Sequence, residues 1–300
     1  MTLEVILTGK DVRAGFFNEI DTANSKLKID SFPDDTRVGT LTVNANIRRL
    51  YGLGDRYMKK GIVQKFEGSI GVDMPLYSKD FLDKLLTQTD VGDLFVVYPT
   101  FGRYIKSVVP QRVEISIRED EMVRLSFDGV FVSEKDFDVS NGTVNSTLEI
   151  DGTDVNTYSI VFNDVVAYYP THVNASISGA DGVTNVTIRS ATIRVNLNNE
   201  LKWGIGSRIA QAVVPRQVEI EVTIEAILSK SMLDKVLADT QDGSVSITFE
   251  LKTDNSESAT TFAKIIVDGA YLDSVAEPIE PNTEVYATLT YIGKSISVTT

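Results

Sequence analysis

In "SVSITFELK" (244–252), Val245, Ile247, Phe249 and Leu251 fall on one face and Ser, Ser, Thr and Glu on the other. A period of two marks a half-buried strand, and it constrains the fold more than any other property of this chain. "ATIRVNLNN" (191–199), "TLTVNANI" (40–47) and "VRLSFDGVFV" (123–132) repeat it. Val, Ile, Thr and Phe pack well on such a surface. Six Asp-Gly or Asn-Gly pairs, at Asp128, Asn141, Asp151, Asp181, Asp242 and Asp268, supply turn candidates. The chain therefore reads as mainly β, and convincing helices are scarce.

The two best helices are nearly the same helix. "SKDFLDKLL" starts at Ser78 and "SKSMLDKVL" at Ser229, with six of nine positions identical. Each serine is placed to cap a helix N-terminus. Phe81, Leu82, Leu85 and Leu86, and likewise Met232, Leu233, Val236 and Leu237, form one apolar stripe suited to lying on a sheet. Upstream, "LYGLGDR" (50–56) faces "KWGIGSR" (202–208), aligning Gly52, Gly54 and Arg56 with Gly204, Gly206 and Arg208. Next come "KFEGSIGVDMPLY" (65–77) and "QVEIEVTIEAIL" (217–228), whose expected inward sets are Phe66, Ile70, Val72, Met74 and Val218, Val222, Ile224, Ala226. Gly68 opposite Ile220 is the one mismatch. Leu41, Val43 and Ala45 likewise match Ile193, Val195 and Leu197. A slip of one residue would turn every side chain to the wrong face, so agreement of phase carries more weight than identity. The pattern predicts an internal duplication: two tandem β-sandwich or barrel-like domains, 1–140 and 187–300, each with one short helix. Residues 141–186, rich in Asn, Asp, Gly, Ser and Thr, form a junction with extra strands.

Several chemistries are excluded by residue counts. There are no cysteines, so no disulfides, thiolate metal sites or thiol nucleophiles. One histidine, His172, lies on an expected strand and rules out multi-histidine metal sites. Gly52-x-Gly54 and Gly204-x-Gly206 lack the third glycine and the strand–helix context of a dinucleotide site. They read as connections between strands, with Arg56 and Arg208 available for contacts between subunits. "DGTD" (151–154) and "DFDVSNG" (136–142) lack the spacing of a calcium loop. Glu119, Asp120 and Glu121 sit at an expected hairpin tip rather than in a carboxylate pair for glycoside cleavage. The four Asn-x-Ser/Thr triplets, at Asn141, Asn145, Asn174 and Asn185, are ordinary in an Asn- and Thr-rich β protein. No constellation is catalytic, and the sequence predicts neither enzyme activity nor a cofactor or metal. It also predicts no signal peptide and no membrane insertion.

The net charge is −13: residues 1–150 carry 23 acids and 19 bases, and residues 151–300 carry 19 acids and 10 bases. That balance is wrong for gripping nucleic acid. It suits a surface that must not stick to it. The outward faces of the two long strands, Glu67, Ser69, Gly71, Asp73 and Glu219, Glu221, Thr223, Glu225, suggest a shared acidic wall of Glu67, Asp73, Glu219, Glu221 and Glu225.

The strand ending in Asn-Asn, the "GIGSR" turn, the "PRQVEIEVTIE" strand and the short helix of 189–239 resemble the tail tube proteins of tailed bacteriophages and archaeal viruses. The resemblance covers most of 187–300 and extends to 38–132. It implies a structural protein of the virion tail, assembled in the host cytoplasm, in which rings stack into a hollow tube. A duplicated chain implies a homotrimeric ring with pseudo-sixfold symmetry, stacked through a non-closing interface. Its implied partners are itself, the tape measure, terminator and distal tail or hub proteins, and DNA in transit without specific binding. The acids above would then face the lumen. Gly52, Gly54, Arg56, Gly204, Gly206 and Arg208 are the candidate contacts between subunits. Two other readings stay open: a baseplate hub or tube-initiator trimer, and a β-sandwich adhesin or carbohydrate-binding protein using Tyr168, Tyr169 or Trp203.

Overall fold

The structure, a computed structural model, describes residues 12–38, 42–44, 47–50, 60–63, 67–119, 121–164, 169–179, 182–204, 207–228, 234, 238, 244–253, 260–276 and 285–300. A first set of elements runs β1 (Arg13–Asp21), β2 (Lys26–Ser31), β3 (Arg37–Val38), β4 (Thr42–Asn44), β5 (Ile47–Leu50), β6 (Lys60–Val63), β7 (Glu67–Pro75), α1 (Lys79–Thr87), β8 (Leu94–Val97), β9 (Phe101–Arg118) and β10 (Arg124–Ser140). Short strands follow: β11 (Thr143–Val144), β12 (Glu149–Ile150), β13 (Thr153–Asp154) and β14 (Ser159–Asn163). The second set is β15 (His172–Gly179), β16 (Gly182–Asn196), β17 (Glu200–Lys202), β18 (Ala212–Val214), β19 (Glu219–Leu228), β20 (Val245–Lys252), β21 (Thr261–Ala276), β22 (Val285–Gly293) and β23 (Ser295–Thr299).

The two sets pair in the same order and the same register. In the first, β7 pairs antiparallel with β10, and Gly68 lies opposite Phe131 and Val72 opposite Phe127. In the second, β19 pairs with β22, and Ile220 lies opposite Gly293 and Ile224 opposite Leu289. The long strands are thus offset by 152 (68 to 220) and their partners by 162 (131 to 293). The hairpins before the long strands agree as well, Leu50 opposite Lys60 and Lys202 opposite Ala212. Irregularities repeat too. The β9–β10 ladder skips Gln111 where it passes from Asp128 to Gly129. The β21–β22 ladder skips Asp273 between Leu272 and Ser274, the aligned place. Ser107, at φ +54, and Gly269, at φ +60, are both left-handed and again 162 apart. An extra residue in one strand sharpens its local twist, so a bulge kept at one position gives both sheets the same bend.

Burial follows the alternation. Ile70, Val72, Met74, Val222, Ile224, Ala226, Val245, Ile247, Phe249 and Leu251 all join one core shared by both sets. The expectation fails at Val218, which is 45% exposed because β19 begins one residue later, at Glu219. Phe66 lies outside the described residues. Two expected turns are also corrected. Asp128-Gly129 and Asp268-Gly269 lie inside β10 and β21, at or beside the ladder irregularities, where a glycine relieves crowding rather than reversing the chain. Asn141-Gly142 and Asp151-Gly152 are tight turns with both residues at positive φ.

α1 forms as the sequence predicts. The Ser78 hydroxyl accepts from the Phe81 N–H at 3.2 Å, and Leu82 and Leu85 are buried. Of the second helix, Asp234 and Ala238 are described and are helical; the rest lies outside the described residues. The segment after β10 builds a second core on the first set alone. Val144, Leu148, Ile150 and Val155 pack with Leu27, Ile29, Phe95 and Phe137, and β14 pairs parallel to β2.

Candidate assembly surfaces

The two sets meet edge to edge. Residues 112–118 of β9 pair antiparallel with residues 190–196 of β16, so both sheets run on as one. The end of this seam is closed by side chains. Asn199 is buried; its Nδ2 donates to the Pro110 carbonyl at 2.8 Å, and Gln111 Nε2 donates to the Asn199 carbonyl at 2.7 Å. The Leu197 N–H donates to the Gln111 carbonyl at 2.8 Å. Gln111 is the residue that the β9–β10 ladder skips, so the irregularity frees its polar groups for the seam. Sequence reading missed this pair, because nothing local marks a glutamine as the bulged residue.

The β17–β18 hairpin reaches across the seam. Leu201 and Ala210 are buried with Val109 of β9, against Val130, Val132, Trp203 and Val213. Gly204 sits in this arm where a Cβ would lie 2.1 Å from Gln211 Oε1, so the glycine gives that side chain its place. Trp203 therefore contributes to a packed contact within the chain. Arg208 is exposed on the same arm. Gly52, Gly54, Arg56, Gly206 and Tyr168 lie outside the described residues.

Two edges equivalent to the seam have no strand partner among the described residues. β3 and β4 pair only with β7, whereas the aligned part of β16 pairs on both sides. Residues 274–276 of β21 pair only with β22 among the described residues, whereas the aligned residues 112–114 of β9 pair on both sides. Tyr271 and Ile292 lie opposite each other here and are 58% and 46% exposed. The residues aligned with them are Val109 and Val130, also opposite each other and covered by the β17–β18 arm.

The core-averted face of the long strands carries charge of both signs. Asp73 takes Arg124 Nη2 at 2.9 Å, and Arg124 also bonds Asp35 at 2.8 Å. Arg194 Nε donates to Glu114 at 3.0 Å and lies 3.6 Å from Glu221. Glu225 accepts from Ser190 at 3.0 Å and from Arg189 at 3.3 Å. Glu219 is exposed at the strand start. The side chain of Glu67 is outside the described set. The expected wall is thus a ladder of acids interleaved with arginines. Hydrogen bonds from Arg124 hold the Asp35 carboxyl below the ordinary carboxylate value, and donation to the Glu114 carboxylate raises Arg194 further. Among the described residues no three acidic or histidine side chains gather as a metal site. No described helix is long and apolar enough to cross a membrane.

Residues 33–293 match the family model described as phage tail tube protein. No curated protein matches the sequence. Among solved structures, the chain is similar to Hcp1 from Flavobacterium johnsoniae at 13% identity, over 42% of this chain and 94% of that one. The TM-score of 0.25 is too low for that likeness to carry an argument.

Proposed function

The chain belongs to the phage tail tube protein family, and from that premise we propose that it builds the hollow tail tube as stacked rings of three subunits. The observation that carries this reading is the β9–β16 seam, together with the two open edges aligned with its halves. A second copy bringing β4 beside residues 274–276 of β21 would repeat part of the internal seam between chains. The antiparallel ladder would then continue around the ring. Long unpaired edges invite partners, and a closed ring is one of the few ways to remove them all. Two units per chain make three chains a pseudo-sixfold ring, and the stacking of such rings is open-ended.

The units are assigned as 1–140 and 187–300, with the strands between them divided by their pairing. β11 and β14 go with the first, and β15 goes with the second. In the ring the polar face of the long strands lines the lumen. Glu67, Asp73, Glu219, Glu221 and Glu225 give that wall its negative bias, and the interleaved arginines hold several of them in place. DNA then passes without adsorbing. The role is structural rather than enzymatic. Its partners are further copies of itself and the proteins that start, measure and end the tube in the virion tail. Tube assembly takes place in the host cytoplasm.

Negative-stain microscopy and native mass spectrometry of the concentrated protein test this. Trimeric rings stacked into tubes are expected, monomers alone would overturn it, and trimers that never stack would indicate a hub.

A further inference from the structure

The first unit pairs an edge that the second leaves open. Phe16 of β1 lies opposite Asp30 of β2, and Ile177 of β15 lies opposite Thr184 of β16. Phe16 and Ile177 hold equivalent places, since they pair with Leu94 and Ile247. Those two pair in turn with Ile105 and Val267, at the common offset of 162 (105 to 267). Asp30 and Thr184 are therefore equivalent. In the first unit β2 is paired on both sides. β1 holds one edge, and β14 runs parallel along the other, from Ser159 opposite Lys26 to Asn163 opposite Asp30. Asn163 Nδ2 donates to Asp30 Oδ1 at 3.2 Å. In the second unit, residues 182–186 of β16 pair only with β15 among the described residues. Thr184 is 6% exposed, and its Oγ1 has no hydrogen-bond partner. A hydroxyl buried without a partner is costly and rare in folded proteins. Residues 182–186 also contain no charge and no proline, the usual guards of an open edge. We propose that this edge docks an extended segment of a different polypeptide, added as a parallel strand with a carboxamide against Thr184 Oγ1.

β14 shows what such an occupant supplies. Its backbone extends the sheet beyond β2, and its asparagine reaches the side chain opposite. In strand addition the ladder gives affinity, and alternate side chains give selection. Thr184 in place of Asp30 accepts the same amide without carrying charge, so asparagine or glutamine fits. Among the described residues the chain offers no free strand of this kind. β14 is already engaged in each copy, and β23 contains no carboxamide. β4 and residues 274–276 are taken up by the ring proposed above. Ile177 and Ile247 share the core with Val222 and Ile224. The edge therefore belongs to the wall across the core from the polar face of the long strands. A segment outside a tube would reach it without entering the lumen. That location rests on the tube reading, whereas the docking edge itself needs only this chain.

A labelled peptide with the sequence of residues 157–164, "TYSIVFND", is the probe. Added to the full chain, it should bind saturably, one peptide per chain, by fluorescence anisotropy. The slot beside β2 is already filled, so hydrogen exchange should slow at 182–186. Thr184→Val separates docking from packing. It should raise the melting temperature of the free chain, because the unpaired hydroxyl is gone. It should also weaken the peptide roughly five-fold, because the acceptor is gone. A peptide with Asn163→Leu should weaken as much on the parent chain and lose nothing further on Thr184→Val. No saturable binding, binding indifferent to Thr184→Val, or protection at another edge would overturn the proposal. Absence of rings in the unmodified protein would overturn the ring reading and leave this edge standing.

Discussion

Gly68 and Gly293 look unrelated in sequence, and the structure makes them the two ends of one exchange. At Gly68 a Cβ would lie 2.0 Å from the Phe131 ring opposite. At Gly293 it would lie 2.5 Å from Val267 and 3.1 Å from Ile220, the residue opposite. Each unit fills the same site with one large and one small residue, on opposite strands. The Gly68/Ile220 mismatch is thus conserved volume rather than a failure of the repeat. Gly68→Ile should cost about 1–3 kcal/mol through overpacking. Adding Phe131→Gly should recover much of that loss, and thermal unfolding of the single and double variants measures the coupling. Arg124 tests the polar face. Its hydrogen bonds lower the Asp35 pKa from its ordinary value. The stability it contributes is present above the unfolded carboxylate value of about 3.9 and is lost as pH falls through the lower folded value. Arg124→Gln should therefore unfold at a lower temperature than the parent at pH 7, with the gap closing as pH falls below the ordinary carboxylate range.

At the scale of elements, α1 and the seam strands are held by different forces. The Ser78 cap satisfies an N–H left free by helix geometry, and Ser78→Ala should cost about 1 kcal/mol. The seam is a backbone ladder, so proline can test its copy between chains. The Leu197 N–H donates to Gln111 across the internal seam. Alternation along an antiparallel ladder then aims the Val113 N–H into the seam, and the aligned Val275 N–H at the open edge. Val275→Pro removes a donor that faces no strand among the described residues and blocks the edge for a partner. A folded monomer by circular dichroism that forms no rings is expected. Rings with normal yield would show that this edge is not used.

For the whole molecule, the charge pattern matters more than the total. Glu219→Gln, Glu221→Gln and Glu225→Gln together should leave ring formation intact and slow DNA passage through assembled tails, measured as the rate of DNA release from virions. Loss of rings instead would place these acids at an interface. Among the described residues the added layer from β11 to β14 packs on the first unit alone, so in the proposed ring it would repeat three times while the shared sheet would repeat six.

The strand phases were legible in sequence because burial on one face imposes a period of two, as Val245 to Leu251 display without help from distant residues. The cap at Ser78 and the alignment of the two long strands were legible for the same reason: each is set by neighbours a few positions away. Val218 escaped because alternation does not say where a strand starts. The division of labour at Gly68 and Phe131, the skipped Gln111 that closes the seam with Asn199, and the arginines threaded among the acids were decided by the tertiary structure. Each depends on a residue brought opposite from a strand tens of positions away, and pairing between strands leaves no period in the sequence to read.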